Sequence, residues 1–153
     1  MNLDLRTLLP QLLPDAIAWA ELQAKHVADV GRNLDSGELD LARAVGVQHP
    51  ELIRVKLVDQ LPLPEEPTLR QAALQTGLLG PGMVGLTLGY SIFIVQGYDT
   101  ARLLSHECRH VYQHEVFGSI AKFLPVYLDQ IVNVGYRDAP LEQDARAHER
   151  EEM

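Results

Sequence analysis

Apolar residues recur at helical spacing in five stretches of the chain. Residues that cap or end helices bound several of them: Ser36 precedes the second stretch, Gly46 follows it, and Asp138 precedes the last. Pro140 then falls in the first turn of the last helix, a position where proline is well tolerated. The pattern predicts helices over residues 14–34, 37–45, 101–118, 121–134 and 141–152.

The middle of the chain has the pattern of strands. Residues 52–58 alternate in part between apolar and polar, and two short apolar runs, 86–88 and 92–95, flank a turn at 89–90. The proline-rich stretch 61–64 is a connector and does not indicate a domain boundary. We therefore expect three strands in this part of the chain.

At 153 residues the chain has the size of one domain with one core. The predicted elements divide it into a helical N-terminal part (1–50), a strand region (51–98) and a second helical part (99–153). This order predicts an α+β fold, in which a small and mostly antiparallel sheet packs against the C-terminal helices.

The composition is that of a globular protein, with 46% apolar and 22% charged residues. The formal net charge is −8 and there is no basic cluster, which argues against nucleic acid or an anionic membrane surface as a partner. The uncharged run 71–98 is long enough to cross a bilayer, but glycines and a proline break it into short pieces. Cys108 is the only cysteine and the first residues lack the apolar stretch of a signal peptide, so we expect a cytoplasmic protein without disulfides.

The candidate chemistry lies in the helix predicted over 101–118. His106, Glu107 and His110 form an HExxH motif there. Because the histidines are one turn apart, both can bind one metal ion, and the glutamate between them can accept a proton from metal-bound water. Apolar residues occupy the opposite face of the helix: Leu104, Cys108 and Val111.

A catalytic zinc site has three protein ligands, and four residues could supply the third. His114 continues the histidine stripe but lies a turn further on, at the expected rim of the site. Glu115 points toward the predicted core side, and Asp129 lies in a segment with no distinguishing pattern. Glu142 is better placed, because it begins a second helix that can dock against the motif helix.

Two segments of the chain, LLSHECRHVYQHEVFG and GYRDAPLEQDARAHE, resemble the small gluzincin-type metallopeptidase-like proteins. Those proteins pair an HExxH helix with a downstream Pro-x-Glu-x-x-Ala helix, and the segment GLTLGYSIFI looks like the strand that precedes their active helix. The resemblance spans about residues 84–150. It implies a minimal zincin-like domain in which His106, His110 and Glu142 bind Zn²⁺ and Glu107 is the general base.

These features predict a zinc-dependent hydrolase, a peptidase or amidase that uses metal-activated water. A donor for the developing oxyanion is expected near the metal, and Tyr136 is favoured over Tyr112 and His114 because it immediately precedes the ligand helix. Asp144 and Arg146 are candidates for orienting the ligands, and a position on a solvated face is the equal alternative for both.

The substrate is expected to be a peptide or protein. An extended peptide can add to the edge of a sheet through backbone hydrogen bonds, and the strand Ser91–Val95 is the candidate edge. A neutral or basic substrate suits the negative net charge of the chain. The alternative is a catalytically silent zinc-binding domain that serves as a protein-interaction or regulatory module, which the small size of the chain permits.

Overall fold

The computed structural model describes residues 2–152, and this part of the chain forms six α-helices and a four-stranded sheet. A short 3₁₀ helix, Pro50–Leu52, precedes the second strand. The elements in chain order are α1 (Leu5–Val30), β1 (Arg32–Asn33), α2 (Ser36–Ala44), β2 (Arg54–Val58), α3 (Pro67–Thr76), β3 (Gly85–Leu88), β4 (Ser91–Val95), α4 (Ala101–Phe117), α5 (Ile120–Val134) and α6 (Pro140–Ala147).

The sheet confirms the predicted α+β class; it is small and mixed, and two of its three strand pairings are antiparallel. Its strand order is β1-β2-β4-β3. The pairings β1–β2 and β3–β4 are antiparallel, whereas β2 and β4 run parallel, with Arg54 opposite Ser91 and Val58 opposite Val95. The chain makes a long connection through α3 and β3 between these parallel strands, as parallel pairing requires.

The strand order corrects the prediction that Ser91–Val95 is an edge strand. β4 pairs with β2 on one side and with β3 on the other, so its backbone groups are already used. The edge strand on this side of the sheet is β3, whose Gly85 pairs with Ile94. A peptide that extends the sheet beside α4 would therefore have to pair with β3.

The first helix is longer at its N-terminus and shorter at its C-terminus than predicted. Asp4 caps α1 by accepting a hydrogen bond from the backbone N–H of Thr7, and Pro10 and Pro14 are accommodated inside the helix. The helix stops at Val30 because Gly31 is extended and the next two residues pair with β2. Proline was therefore an unreliable marker of the start of this helix.

Other local predictions need smaller corrections. The N-cap of α2 is Asp35, which forms a reciprocal capping box with Glu38, and not Ser36. The N-cap position of α6 is held by Ala139 rather than Asp138, and this helix ends at Ala147. The elements α3 and β1 were not predicted at all, because neither carries a strong apolar periodicity of its own.

The two faces of the sheet pack against different helices. In β4, Ile92 and Ile94 belong to one buried cluster and Phe93 to another, as the alternation of a strand requires. The first cluster includes the apolar faces of α2 and α4, with Leu104, Cys108, Val111 and their neighbours, and this confirms the predicted core side of the motif helix. The second cluster is built with α1 and α5. None of the helices within residues 2–152 has the length and apolarity needed to cross a membrane.

Candidate metal centre

The HExxH motif lies in the middle of α4, whose ends are fixed by local signals. The Thr100 side chain caps the helix by accepting a hydrogen bond from the N–H of Leu103, and Gly118 ends it in a left-handed conformation. The rings of His106 and His110 lie one turn apart in an edge-to-face arrangement, with centroids 5.0 Å from each other. The helix predicted from sequence is confirmed almost to the residue.

Glu142 meets both histidines at the start of α6. Its carboxylate oxygens lie 3.1 Å from Nε2 of His106 and 3.0 Å from Nε2 of His110. One potential ligand atom from each of the three residues lies within 4.8 Å of the others, and all three residues are buried. The residues of the described chain thus form a cluster of two imidazoles and one carboxylate that could hold a metal ion.

The outer nitrogen of each imidazole contacts a group that accepts hydrogen bonds. Nδ1 of His106 lies 2.8 Å from Oε2 of Glu149, and Nδ1 of His110 lies 2.8 Å from Oε1 of Gln113. Because a carboxylate and an amide oxygen only accept, Nδ1 carries the proton in both rings. A neutral ring held in this tautomer directs the lone pair of Nε2 inward, which is how histidine ligands of metals are usually oriented.

The ionisation of the three candidate ligands is strongly coupled. Burial alone would raise the pKa of Glu142, but its hydrogen bonds with His106 and His110 outweigh this effect and lower the pKa. For His106 burial acts in the opposite direction and alone would lower the pKa. The contact with Glu142 and the nearby acidic charges nevertheless raise this pKa to about 9. Without a cation between them, the imidazoles take protons to balance the buried carboxylate, and a divalent metal ion would supply that positive charge instead.

A tyrosine that the sequence analysis missed completes the contacts of Glu142. The hydroxyl of Tyr127, on α5, donates a hydrogen bond to Oε2 of Glu142 at 2.7 Å. Tyr127 also lies edge-on to His110, with ring centroids 6.1 Å apart. No spacing in the sequence links Tyr127 to the motif, because only the packing of α5 against α4 and α6 brings it there.

Glu107 lies beside the cluster and is held in place by β3. Its Oε1 accepts a hydrogen bond from the Thr87 hydroxyl at 2.8 Å, and its Oε2 faces Gly85. A Cβ atom at Gly85 would lie only 2.7 Å from that oxygen, so a side chain at this position would collide with the carboxylate. Burial raises the pKa of Glu107 in spite of the nearby His110 and His106. A raised pKa suits a group that accepts and later returns a proton.

A second set of contacts ties α4 to α6. Arg109, inside the motif, binds both carboxylate oxygens of Asp144 and donates to the backbone oxygen of Val45. The Gln113 amide donates to the same carboxylate and to the backbone oxygen of Leu141. Asp144 is therefore linked to His110 through Gln113, whose amide oxygen contacts Nδ1 of that histidine.

Three other candidate ligands lie away from the cluster. His114 is buried instead of lying at a rim: its Nδ1 donates to the backbone oxygen of His110, and its ring stacks on Phe123. Glu115 accepts hydrogen bonds from two backbone N–H groups and from a tyrosine hydroxyl. Asp129 is exposed and contacts Asn133. The structure therefore brings Glu142 to the histidines and leaves these alternatives elsewhere.

Of the two tyrosines considered as oxyanion donors, only Tyr136 lies on the same side of α4 as the cluster. Tyr136 lines a cavity together with Glu107, His110 and Glu142. Tyr112 packs against the opposite, apolar side of α4, under the guanidinium of Arg109. Arg146, a candidate for orienting the ligands, contacts the backbone oxygen of Arg137 instead. Burial and the nearby carboxylates raise the pKa of Tyr136, so its hydroxyl stays protonated and can donate.

By its donor chemistry, the cluster could hold a metal ion. Two imidazole nitrogens and one carboxylate oxygen form a known catalytic ligand set, and three protein ligands leave a fourth position for water or substrate. No protein-family model, curated protein or solved structure matches this chain. The interpretation of the site therefore depends on its own geometry.

Proposed function

We propose that the protein is a zinc-dependent hydrolase that cleaves peptide or amide bonds. One observation carries the proposal: a buried carboxylate, Glu107, stands beside the cluster of His106, His110 and Glu142 without being part of it. A site that served only to hold a metal would not need this additional acid and would usually fill all four positions around the ion.

The roles of the residues follow from their positions. Bound zinc would polarise the substrate carbonyl and lower the pKa of water. Glu107 accepts the proton of the attacking water and returns it to the leaving amine, with Thr87 keeping one carboxylate oxygen in place. The Tyr136 hydroxyl donates a hydrogen bond to the oxygen that becomes negative. Tyr127 and Glu149 hold Glu142 and His106 in position.

Metal analysis of purified protein tests the site itself. Wild-type protein is expected to retain about one zinc per chain, whereas His106→Ala and Glu142→Ala lose most of it, because each change removes one of three ligands. Glu115→Ala is the matched control, since this half-buried glutamate of α4 accepts hydrogen bonds from backbone groups away from the cluster. Equal zinc in all four proteins would remove the basis of the proposal.

Turnover is tested separately from metal binding. A peptide library is incubated with wild-type protein and with Glu107→Gln, which keeps the shape of the side chain but cannot accept a proton. We expect cleavage by the wild type and a loss of at least roughly 100-fold in the variant, with zinc retained in both. If zinc is bound but no peptide is cleaved across a broad library, the protein is a zinc-binding module without turnover, and the hydrolase proposal is wrong.

A further inference from the structure

A cavity extends from the candidate metal centre into the apolar interior. At one end it is lined by Glu107, His110 and Glu142, and its walls come from α1, α3, β3 and α5. Its volume is about 140 Å³. Apart from Glu107, His110 and Glu142, the described residues that line it include no aspartate, glutamate, lysine, arginine or histidine.

We propose that this cavity binds one large apolar side chain of a peptide substrate, of leucine or phenylalanine size, next to the bond that is cleaved. This inference rests on the proposed hydrolase function. It adds the substrate class, which neither the motif nor the ligand set determines.

The size of the cavity limits the occupant. A cavity of about 150 Å³ lined by aliphatic and aromatic side chains holds one benzene molecule, and the present volume of about 140 Å³ is nearly the same. One aromatic ring or one branched aliphatic side chain therefore fills the space. A long acyl chain would need several times this volume.

The lining determines the chemistry of the occupant. An acidic side chain would lose its hydration among the apolar walls and find no lysine or arginine among the described lining residues. A lysine or arginine side chain would lose its hydration among residues such as Leu69 and Leu128, and the described lining offers no acidic side chain besides Glu107 and Glu142. An apolar side chain only exchanges contact with water for contact with the walls, which is favourable.

The position of the cavity relates the occupant to the reacting bond. Because Glu107 and His110 line the same cavity, a side chain inserted there places its own backbone carbonyl or amide beside the metal centre. The substrate residue selected by the cavity is therefore one of the two that flank the cleaved bond. This residue should control the rate of cleavage more strongly than any other in the substrate.

The fluorescence of Trp19 can report binding in the cavity without any cleavage of the ligand. It is the only tryptophan of the chain and lies in the wall contributed by α1. N-acetyl-phenylalaninamide is titrated into zinc-free and zinc-loaded protein while Trp19 emission is recorded with excitation that spares phenylalanine. We expect a saturable change in emission with both forms, and none with N-acetyl-glutamate amide at the same concentrations.

Two variants of α3 test whether the cavity is the place of binding. Ala73 lines the cavity, so Ala73→Phe fills it from within; Leu74 is its exposed neighbour outside the lining, so Leu74→Phe is the matched control. Ala73→Phe should abolish the response of Trp19 and reduce cleavage of peptides with leucine or phenylalanine at the selected position by at least roughly tenfold. Leu74→Phe should change neither.

A variant with a larger cavity provides a second test in case Ala73→Phe does not fold. Leu128 lies in the wall formed by α5, and Leu128→Ala enlarges the space. This change should shift the preference from leucine toward phenylalanine or larger side chains, again by roughly tenfold. Circular dichroism and thermal unfolding of each variant establish that it is folded before it is compared.

The outcomes separate this inference from the proposed function. Cleavage that is indifferent to the flanking side chains, or unchanged in folded Ala73→Phe, would overturn the cavity proposal while leaving the hydrolase intact. A Trp19 response that Ala73→Phe abolishes, in a protein that cleaves no peptide, would show an apolar binding cavity and refute the hydrolase and the substrate role together.

Discussion

The contact between Gly85 and Glu107 offers a test of the proposed general base in which no functional side chain is itself substituted. Gly85 lies on the edge strand β3, and its backbone angles are within the range that alanine adopts readily. The substitution Gly85→Ala adds only a methyl group, at a distance of 2.7 Å from Oε2 and 2.9 Å from Cδ of Glu107. The carboxylate has to move to make room.

The size of the movement can be worked out from these distances. Ordinary contact of a Cβ atom begins at 3.4 Å, so the carboxylate must retreat by about 0.7 Å. A displacement of about 1 Å at a reacting group can reduce a rate by about 100-fold, and we therefore expect kcat/KM to fall by roughly 10- to 100-fold. The zinc ligands are not touched, so the metal content should stay that of the wild type.

The assay compares three proteins on one cleaved peptide. Gly82→Ala is the control, because a Cβ atom there would meet no atom within 4 Å. Both variants should unfold within a few degrees of the wild type, since replacing glycine by alanine at a compatible position changes stability by only about 1 kcal/mol. If Gly85→Ala cleaves peptide as fast as Gly82→Ala, or loses its zinc, the assignment of Glu107 from this geometry is refuted.

The remaining predictions concern the metal ligands and the fold. Glu149→Ala removes the acceptor that orients one ligand histidine and should weaken zinc binding by about 10- to 100-fold in a competition titration, while Glu151→Ala, an exposed neighbour, should not. Tyr127→Phe leaves one oxygen of the ligand carboxylate without its hydrogen bond and should weaken zinc binding several-fold; an unchanged affinity would argue against this positioning role. Asp35→Ala removes the N-cap of α2 and should lower the free energy of unfolding by about 1 kcal/mol, or Tm by about 2–4 °C, in thermal melts with zinc present. Removing zinc with a chelator should lower Tm by about 5–10 °C relative to protein with free zinc at about 100 times Kd, and equal melting curves would contradict binding to the folded state alone.

The features of the site that can be predicted from the sequence are those that depend on interactions between residues a few positions apart. Thr100 and Gly118 bound the motif helix through local hydrogen bonds and backbone conformation, and the spacing of His106 and His110 then follows from helix geometry. Thr87 is different: it reaches Glu107 across 20 positions of the chain, through the packing of β3 on α4. No periodicity encodes such a contact, so a residue of this kind is identified only in three dimensions.

The central position of β4 in the sheet is indicated by its own sequence. The residues of β4 are apolar without alternation from Ile92 to Val95, and such a run is typical of a strand covered on both faces. A strand of that kind is more often central than at an edge, and in the structure it is central. The length of α1 was harder to predict, because its prolines at positions 10 and 14 are outweighed by packing against α5 and the sheet.

Arg109 shows how the motif and the third ligand depend on each other. A helix as short as α6 is not stable alone in water, so the position of Glu142 depends on what α6 packs against. Arg109 supplies much of that contact, because its guanidinium binds both oxygens of Asp144, and Gln113 adds hydrogen bonds to the same helix. The charged residue between the two histidines is therefore used to dock the ligand helix. Its guanidinium is engaged inside the protein, so the proposed substrate would be recognised by other groups, such as those of the apolar cavity that Glu107 lines.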